Sequence, residues 1–305
     1  MEHRLLNKQI LILGSAGYIG SRLSTYLQNY YTIKKNDICW FNSPIDTNKL
    51  DYSLYTKEDL KEFDVIIVLA GHSSVKTCDG LIQSPWKNNV TNFINLLSKI
   101  DNQVVIYASS ASVYGSSNNY KIYTEQSIDF IPLNNYDITK YVIDQQALLE
   151  IQKGKKVIGL RFGTVNGWSP QLRVDVMINS MIHNILMKKN LLIMNKHINR
   201  AILGIEDLCR AIYLCIQKPV PGIYNLSSFN TTVEEVSSFI SNKLNVSIID
   251  QGNSNATYNF ALDTSLFQKT YKFAFQETPD TIINNLLNKY EKSTPQYRDK
   301  YIIYT

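Results

Sequence analysis

Short apolar runs recur along this chain at residues 9–13, 64–70, 104–108 and 157–160. They are too short for helices and do not alternate, the pattern of strands buried on both faces of a parallel sheet. Between them apolar residues fall at helical spacing, as Leu23, Tyr26 and Leu27 and later Tyr141, Val142, Ala147, Leu148 and Ile151. Residues 31–37 read as a further strand, polar for a central one. Strands alternating with helices predict an α/β chain. From Trp168 the alternation fades, so residues 168–305 are expected to form a smaller α/β lobe over the strand ends of a unit spanning 1–167, with a helix near 205–217 returning to it.

The first run feeds into Gly14-Ser15-Ala16-Gly17-Tyr18-Ile19-Gly20, and a helical pattern follows. Strand, glycine loop and helix are the context of a dinucleotide-binding loop. Gly14 permits a tight turn, Gly17 lets backbone approach a pyrophosphate, and Gly20 lets helix and strand pack closely. The helix N-terminus then presents free N–H groups to phosphate. The fold expected is a Rossmann-type doubly wound parallel sheet.

The run Tyr136-Asp137-Ile138-Thr139-Lys140 sets a phenol and an ammonium on one face of a helix. A free phenol has a pKa of about 10 and is a poor base at neutral pH, and a nearby cation lowers it. On that reading Lys140 makes Tyr136 a general base toward an alcohol.

The G-x-x-G-x-x-G spacing resembles that of extended short-chain dehydrogenases/reductases, the NAD-dependent epimerase/dehydratase family, and further blocks resemble the family in order. Asp37, 17 residues after Gly20, stands where a carboxylate holds the adenosine ribose, which favours NAD over NADP. Leu50-Asp51 resembles the pair that reads the adenine edge, and Leu69-Ala70-Gly71 closes a strand whose small residues lie against the cofactor. His72 follows as a loop residue near that cofactor. Asn89 opens a block resembling N-V-x-G-T-x-N-L-L and takes the position that supports the site, where the resemblance implies a cofactor contact, while Asn92 and Phe93 replace the usual Gly and Thr. Residues 104–115 resemble the S-S-x-x-V-Y-G segment, 26 residues separating Ser110 from Tyr136. The resemblance implies that Ser110, Tyr136 and Lys140 are catalytic, and that Tyr18, Ile19, Tyr136 and Lys140 join the glycines at the cofactor. Where 4,6-dehydratases carry Asp-Glu, this chain has Ala111-Ser112, which argues against elimination of water.

Residues 157–167 resemble L-R-x-x-N-V-Y-G, with Asn166 where Tyr is common. Residues 169–179 resemble S-P-x-x-R-x-D-x-x-x-N, and 200–208 resemble R-x-x-I-H-V-x-D, with Gly204 in place of the histidine. The resemblance makes Arg200, Arg173 and Asn179, with Ser110, substrate-binding, and Arg200 the ligand of a diphosphate. A second arginine of the family is replaced near Thr257. The function implied is hydride transfer with NAD on a nucleotide-diphosphate sugar, at C4, by a 4-epimerase or 4-dehydrogenase of surface-polysaccharide synthesis. The alternatives are an NADP-dependent keto-sugar reductase and a silent dinucleotide sensor. In relatives the outer sides of the Tyr136 and Asn89 helices join two subunits, so a homodimer is expected.

Composition narrows the rest. The chain has 305 residues, 44% hydrophobic and 19% charged, enough apolar content to close a core. No apolar run approaches the ~20 residues of a membrane span, and no signal segment precedes the first strand. Four cysteines (Cys39, Cys78, Cys209 and Cys215) lack metal spacing and read as reduced thiols of a cytoplasmic protein. A net charge of +5 suits an anionic ligand, and without an aromatic-laced basic patch it does not argue for nucleic acid.

Overall fold

The computed structural model describes all residues except 1–7, 41–43, 76–77, 79–84, 116–119, 128–133, 188–189, 254–257, 293–295 and 298–305. Thr257 therefore lies outside the described residues.

The first half alternates as the pattern predicts. Gln9–Leu13 (β1), Tyr18–Leu27 (α1), Thr32–Asp37 (β2), Asn48–Lys49 (β3), Lys57–Leu60 (α2) and Val65–Val68 (β4) lead to a wide π-helical turn, Trp86–Thr91. Asn92–Ser98 (α3), Val104–Ser110 (β5), Lys121–Tyr123 (β6), Asn135–Gln152 (α4) and Val157–Phe162 (β7) follow. The second half contains Thr164–Asn166 (β8), Gln171–Leu172 (β9), Met177–Leu186 (α5), Leu191–Ile193 (β10), Asn199–Gly204 (β11), Ile205–Gln217 (α6) and Gly222–Leu226 (β12). It closes with Phe229–Thr232 (β13), Val233–Leu244 (α7), Ile248–Asp250 (β14), Phe260–Leu262 (β15), Ser265–Tyr271 (α8), Pro279–Lys292 (α9) and Gln296–Tyr297 (β16).

Seven parallel strands form the main sheet in the order β12-β7-β5-β4-β1-β2-β3. Successive β1 side chains point to opposite faces. Ile10 and Ile12 join one core with Leu23 and Leu27 of α1 and Leu208 and Ile212 of α6. Leu11 and Leu13 join the other with Phe93 and Leu96 of α3 and Ile143 and Ala147 of α4. Full burial of such a side chain is worth roughly 1.5–3 kcal/mol, so each row fixes its helix layer. The sheet also takes β12 from beyond the span predicted for it, on the far side of β7. The polarity of residues 32–37 has a simple cause: β2 is flanked outward only by the two-residue β3, and of its residues only Asn36 is buried.

The chain leaves β1 toward β2 on one side and returns to β4 on the other. Open α/β sheets bind ligands at the carboxyl ends of strands where order reverses in this way. Over that edge lie the three-stranded β13-β11-β8 sheet and the β10-β14 and β15-β6 pairs. Among the described residues no helix is long and apolar enough to cross a membrane.

Helix α4 inverts the usual arrangement. Its buried face carries Asp137, Thr139, Lys140, Asp144 and Glu150, while Leu148 and Leu149 are 38% and 51% exposed. A helix that buries polar groups while exposing leucines departs from simple core packing.

Candidate active site

A cavity of about 1030 Å³ opens along the carboxyl ends of the strands. One end is lined by Gly14, Gly17, Tyr18, Ile19, Gly20, Asp37, Asp51, Leu69, Ala70 and Gly71, the middle by Ser110, Tyr136 and Lys140, and the other end by Arg173 and Arg200. Fifteen of the residues singled out in the sequence thus share one space. Asn89 and Asn179 do not face it.

The glycine end is built by close packing. A Cβ on Gly20 would lie 2.1 Å from the Gly14 carbonyl oxygen, and one on Gly14 would lie 2.6 Å from the Ala70 nitrogen. Gly14 also has φ +89, a conformation side chains rarely adopt. Gly17 differs. Its backbone is extended, and a Cβ there would meet only the Gly14 carbonyl, at 3.4 Å. The fold does not need glycine at this position, but a ligand in the cavity would. Gly17 is also the N-cap of α1, with no side chain capping the helix and no acid in its first turn. An uncapped helix start, a glycine free of packing demands and a cavity beside both fit a dinucleotide pyrophosphate. Asp37 faces the same end, its carboxylate fixed by the N–H groups of Ala16 at 3.0 Å and Cys39 at 2.7 Å. Asp51 accepts from the Ser53 N–H at 2.9 Å.

Two residues expected at ligands work behind the wall. The Asn89 carbonyl oxygen accepts from the His72 N–H at 2.7 Å, and its amide donates to Thr139 Oγ1 at 3.1 Å, tying the loop after β4 to α4. Asn179, almost fully buried, accepts from the Gly167 N–H at 2.8 Å and donates to the Arg173 carbonyl at 2.9 Å and the Tyr18 hydroxyl at 3.2 Å. Tyr18 donates its own hydroxyl to the Gly167 carbonyl at 2.8 Å. Asn179 therefore seats Arg173 from behind. Asn166 completes this region: its oxygen accepts from the Ile178 N–H at 2.9 Å, at the start of α5. His72 lies against the Trp40 ring, with centroids 5.1 Å apart.

In the middle, β5 delivers Ser110 to the start of a 3₁₀ turn, Ala111–Tyr114, where its Oγ accepts from the Ser112 N–H at 3.2 Å. Asn134 caps α4 through the Asp137 N–H, and the first turn then carries Tyr136. Ser110 and Tyr136 are hydrogen-bonded.

The Tyr136–Lys140 pair departs from the expectation drawn from its spacing. Lys140 lies over the Tyr136 ring, its Nζ 5.8 Å from the centroid, and donates to the Ala108 carbonyl at 2.8 Å. Burial pushes Tyr136 up to about 12, opposed first by the hydrogen bond from Ser110 and then by the charge of Arg173. Burial also drives Lys140 down to about 8, opposed by the carboxylate of Asp144 one helical turn on. Arg173 is a second cation bearing on the phenol, while Lys140, over its ring, is anchored to backbone. Asp144 is fully buried and accepts from the Tyr107 hydroxyl and from Arg161 Nε, both at 2.7 Å.

At the far end Arg173 is chelated by Asp175, at 2.6 and 3.1 Å, and donates to the Ser73 carbonyl at 3.3 Å. The Arg200 guanidinium makes no hydrogen bond or ion pair among the described residues, and burial holds its pKa below the usual range. A desolvated guanidinium without a carboxylate is costly unless an anion joins it. The histidine position of the resemblance has been overtaken by packing. A Cβ on Gly204 would lie 1.9 Å from Glu277 Oε2, and that carboxylate caps α6 by accepting from the N–H groups of Glu206 at 2.9 Å and Asp207 at 3.2 Å.

A family model described as NAD dependent epimerase/dehydratase family matches residues 10–227. An uncharacterized protein of Methanocaldococcus jannaschii is 31% identical over 253 residues, 72% of this chain and 76% of that protein. The dTDP-glucose 4,6-dehydratase of Bacillus anthracis, solved with NAD, superposes with a TM-score of 0.81 at 21% identity, covering 95% of this chain and 99% of that one. The UDP-glucuronic acid 4-epimerase of Bacillus cereus, solved with UDP-glucuronic acid and NAD, gives 0.80 at 21% identity, covering 93% and 99%. At such identities these two likenesses show the fold.

Proposed function

The chain belongs to the NAD-dependent epimerase/dehydratase family, and from that premise we propose that it oxidises C4 of a nucleotide-diphosphate sugar with NAD, as a 4-epimerase or a 4-dehydrogenase. The observation that carries this reading is one cavity with an uncapped glycine loop at one end, Ser110 and Tyr136 in the middle and the unpaired Arg200 at the other.

Gly14, Gly17 and Gly20 would hold the pyrophosphate of the dinucleotide, Asp37 its adenosine ribose, and Lys140 its nicotinamide ribose. Bound NAD would supply the hydride acceptor and a positive charge. Tyr136 takes the proton of the sugar C4 hydroxyl. Ser110, bonded to Tyr136, both donates to and accepts from the reacting oxygen and so serves alcohol and ketone alike. Arg173 and Ser110 lower the proton affinity of a phenol that burial has raised. Arg200 binds the diphosphate through its planar fork. At the two positions after Ser110, where a dehydratase needs an acid and a base, Ala111 and Ser112 offer neither, so the reaction is oxidation or epimerisation without loss of water.

The wider role in surface-polysaccharide sugar synthesis rests on the sequence resemblance. The exposed Leu148 and Leu149 of α4 support a homodimer through that helix. The test is the dinucleotide content of the purified protein and its turnover of UDP- and dTDP-sugars. Bound NAD(H) with interconversion of C4 epimers, or stoichiometric NADH, is expected. A protein that neither carries nor takes up a dinucleotide sinks the reading.

A further inference from the structure

Two adjacent residues ahead of β15 reach in different directions. Asn259 reaches β11: its side-chain oxygen accepts from the Asn199 N–H at 2.9 Å and from the Asn199 amide at 3.2 Å. Asn199 is the residue before Arg200. Tyr258 reaches α4: its hydroxyl donates to the Asp137 carboxylate at 2.7 Å and accepts from the Asn134 amide at 2.9 Å. Asn134 caps α4, and Asp137 is the residue after Tyr136. The neighbour of Arg200 is thus tied to the neighbour of Tyr136 through one short segment, across 60 and 121 positions of sequence.

Asp137 is fully buried, and a buried carboxylate is costly without donors. Tyr258 and the Asn134 amide, the latter at 3.2 Å, both donate to it. Burial first, then the bond to Asp137, raises the pKa of Tyr258, so its phenol stays protonated and remains a donor. Tyr258 lines the cavity with Asn134, Tyr136, Asn199 and Arg200, and it is near enough to Arg200 to bear on its charge. Hydride transfer itself requires neither Tyr258 nor Asp137.

We propose that Tyr258 is a positioning residue for Tyr136, and that the strap of Tyr258 and Asn259 links the filling of the Arg200 subsite by a diphosphate to the seat of the phenol. This deepens the proposed function and rests on its placing of a diphosphate at Arg200. An anion on Arg200 restrains β11, Asn199 passes the restraint to Asn259, and the next residue passes it to the start of α4. A displacement of about 1 Å at a reacting group can cost about 100-fold in rate, so a small shift of α4 is enough to matter.

Carbon NMR of the NAD-loaded protein labelled at the tyrosine Cζ tests the link, with Tyr136→Phe identifying the Tyr136 signal. The probe is UDP, or dTDP if UDP does not bind. Titration should move the Tyr136 signal of the parent protein. In Tyr258→Phe, which keeps the ring and loses the hydroxyl, the nucleotide should bind within about twofold of the parent affinity and leave that signal in place. Asn259→Ala, which releases the β11 side of the strap, should remove the response in the same way. Single-turnover reduction of NAD should slow about 10-fold in Tyr258→Phe with KM nearly unchanged, the scale of one hydrogen bond to a charged group. A response that persists in both variants overturns the proposal. So does a Tyr258→Phe protein whose nucleotide affinity, NAD affinity and rate all fall together, the mark of a merely structural tie. Nucleotide binding to the parent without movement of the Tyr136 signal overturns the proposal and leaves the nucleotide-sugar reading intact. Failure of UDP and dTDP alike to bind overturns both.

Discussion

The two ends of the cavity are built on opposite principles. At the glycine end the carboxylates are held within the protein and the backbone is packed to contact, with the start of α1 left open: Asp37 holds two backbone N–H groups, Asp51 a third, and Gly14 and Gly20 meet backbone. At the far end, among the described residues, Ser109 and Ser112 bury hydroxyls without partners and the partly buried Arg200 guanidinium has no ion pair. The first end is a finished cradle that a ligand enters. The second carries a standing cost that a ligand would offset. Stability and affinity should therefore respond in opposite ways to substitutions at the two ends.

The largest contrast lies within the glycine loop. Gly20→Val drives a side chain into the Gly14 carbonyl and should destabilise the fold by more than ~3 kcal/mol or prevent folding. Gly17→Val enters open cavity and should leave the melting temperature nearly unchanged. It should weaken NAD binding about 10–100-fold, the equivalent of roughly 1–3 kcal/mol of steric displacement. Thermal melts with and without NAD separate the two, and equal destabilisation by both would break the distinction.

Arg200→Met probes the other end. Removing a desolvated charge should raise the melting temperature of the free protein. Losing the diphosphate contact should raise KM for the nucleotide sugar about 10–100-fold, as for a hydrogen bond to a charged group. A fall in stability would show that Arg200 is satisfied without substrate.

The smallest effect concerns Glu277, outside both ends. Burial raises its carboxyl from 4.5 to about 7. The folded state thus binds this proton more tightly than the unfolded chain, so the group's contribution is full below pH 4.5 and is lost as pH rises toward 7. Glu277→Gln keeps an acceptor for the α6 N–H groups without the titration. Its melting temperature relative to the parent should rise by about 2–4 °C between pH 5 and pH 8, the scale of roughly 1 kcal/mol. A pH-independent difference would remove Glu277 from the account.

What could be read in the sequence divides along the same line. The glycine end is local: one strand, one loop and one helix start within residues 9–27, and its period and glycines are legible without a structure. Ser110 and Tyr136 were legible because each sits at a fixed place on a regular element. The far end draws on β8, the segment after β9, and β11, and sequence distance hides their meeting. Asn179 and Asn89 look like ligands in a motif, but their amides are used up by backbone behind the wall. The raised pKa of Tyr136 is not legible in the spacing, which gives one face of a helix without giving the burial of both groups. Nothing in the sequence marked Glu277 as the occupant of the space beside Gly204, 73 residues away.

The central claim is that Tyr136 removes the proton as hydride leaves the sugar carbon. It is tested most directly by rapid mixing of NAD-loaded protein with UDP-glucose and UDP-glucuronate while following the absorbance of reduced nicotinamide. The parent protein is expected to show reduction with at least one of the two sugars. Tyr136→Phe should bind NAD and that sugar with near-parent affinity and slow the reduction at least about 100-fold, the lower range for a lost general base. Reduction at the parent rate in Tyr136→Phe would contradict the account.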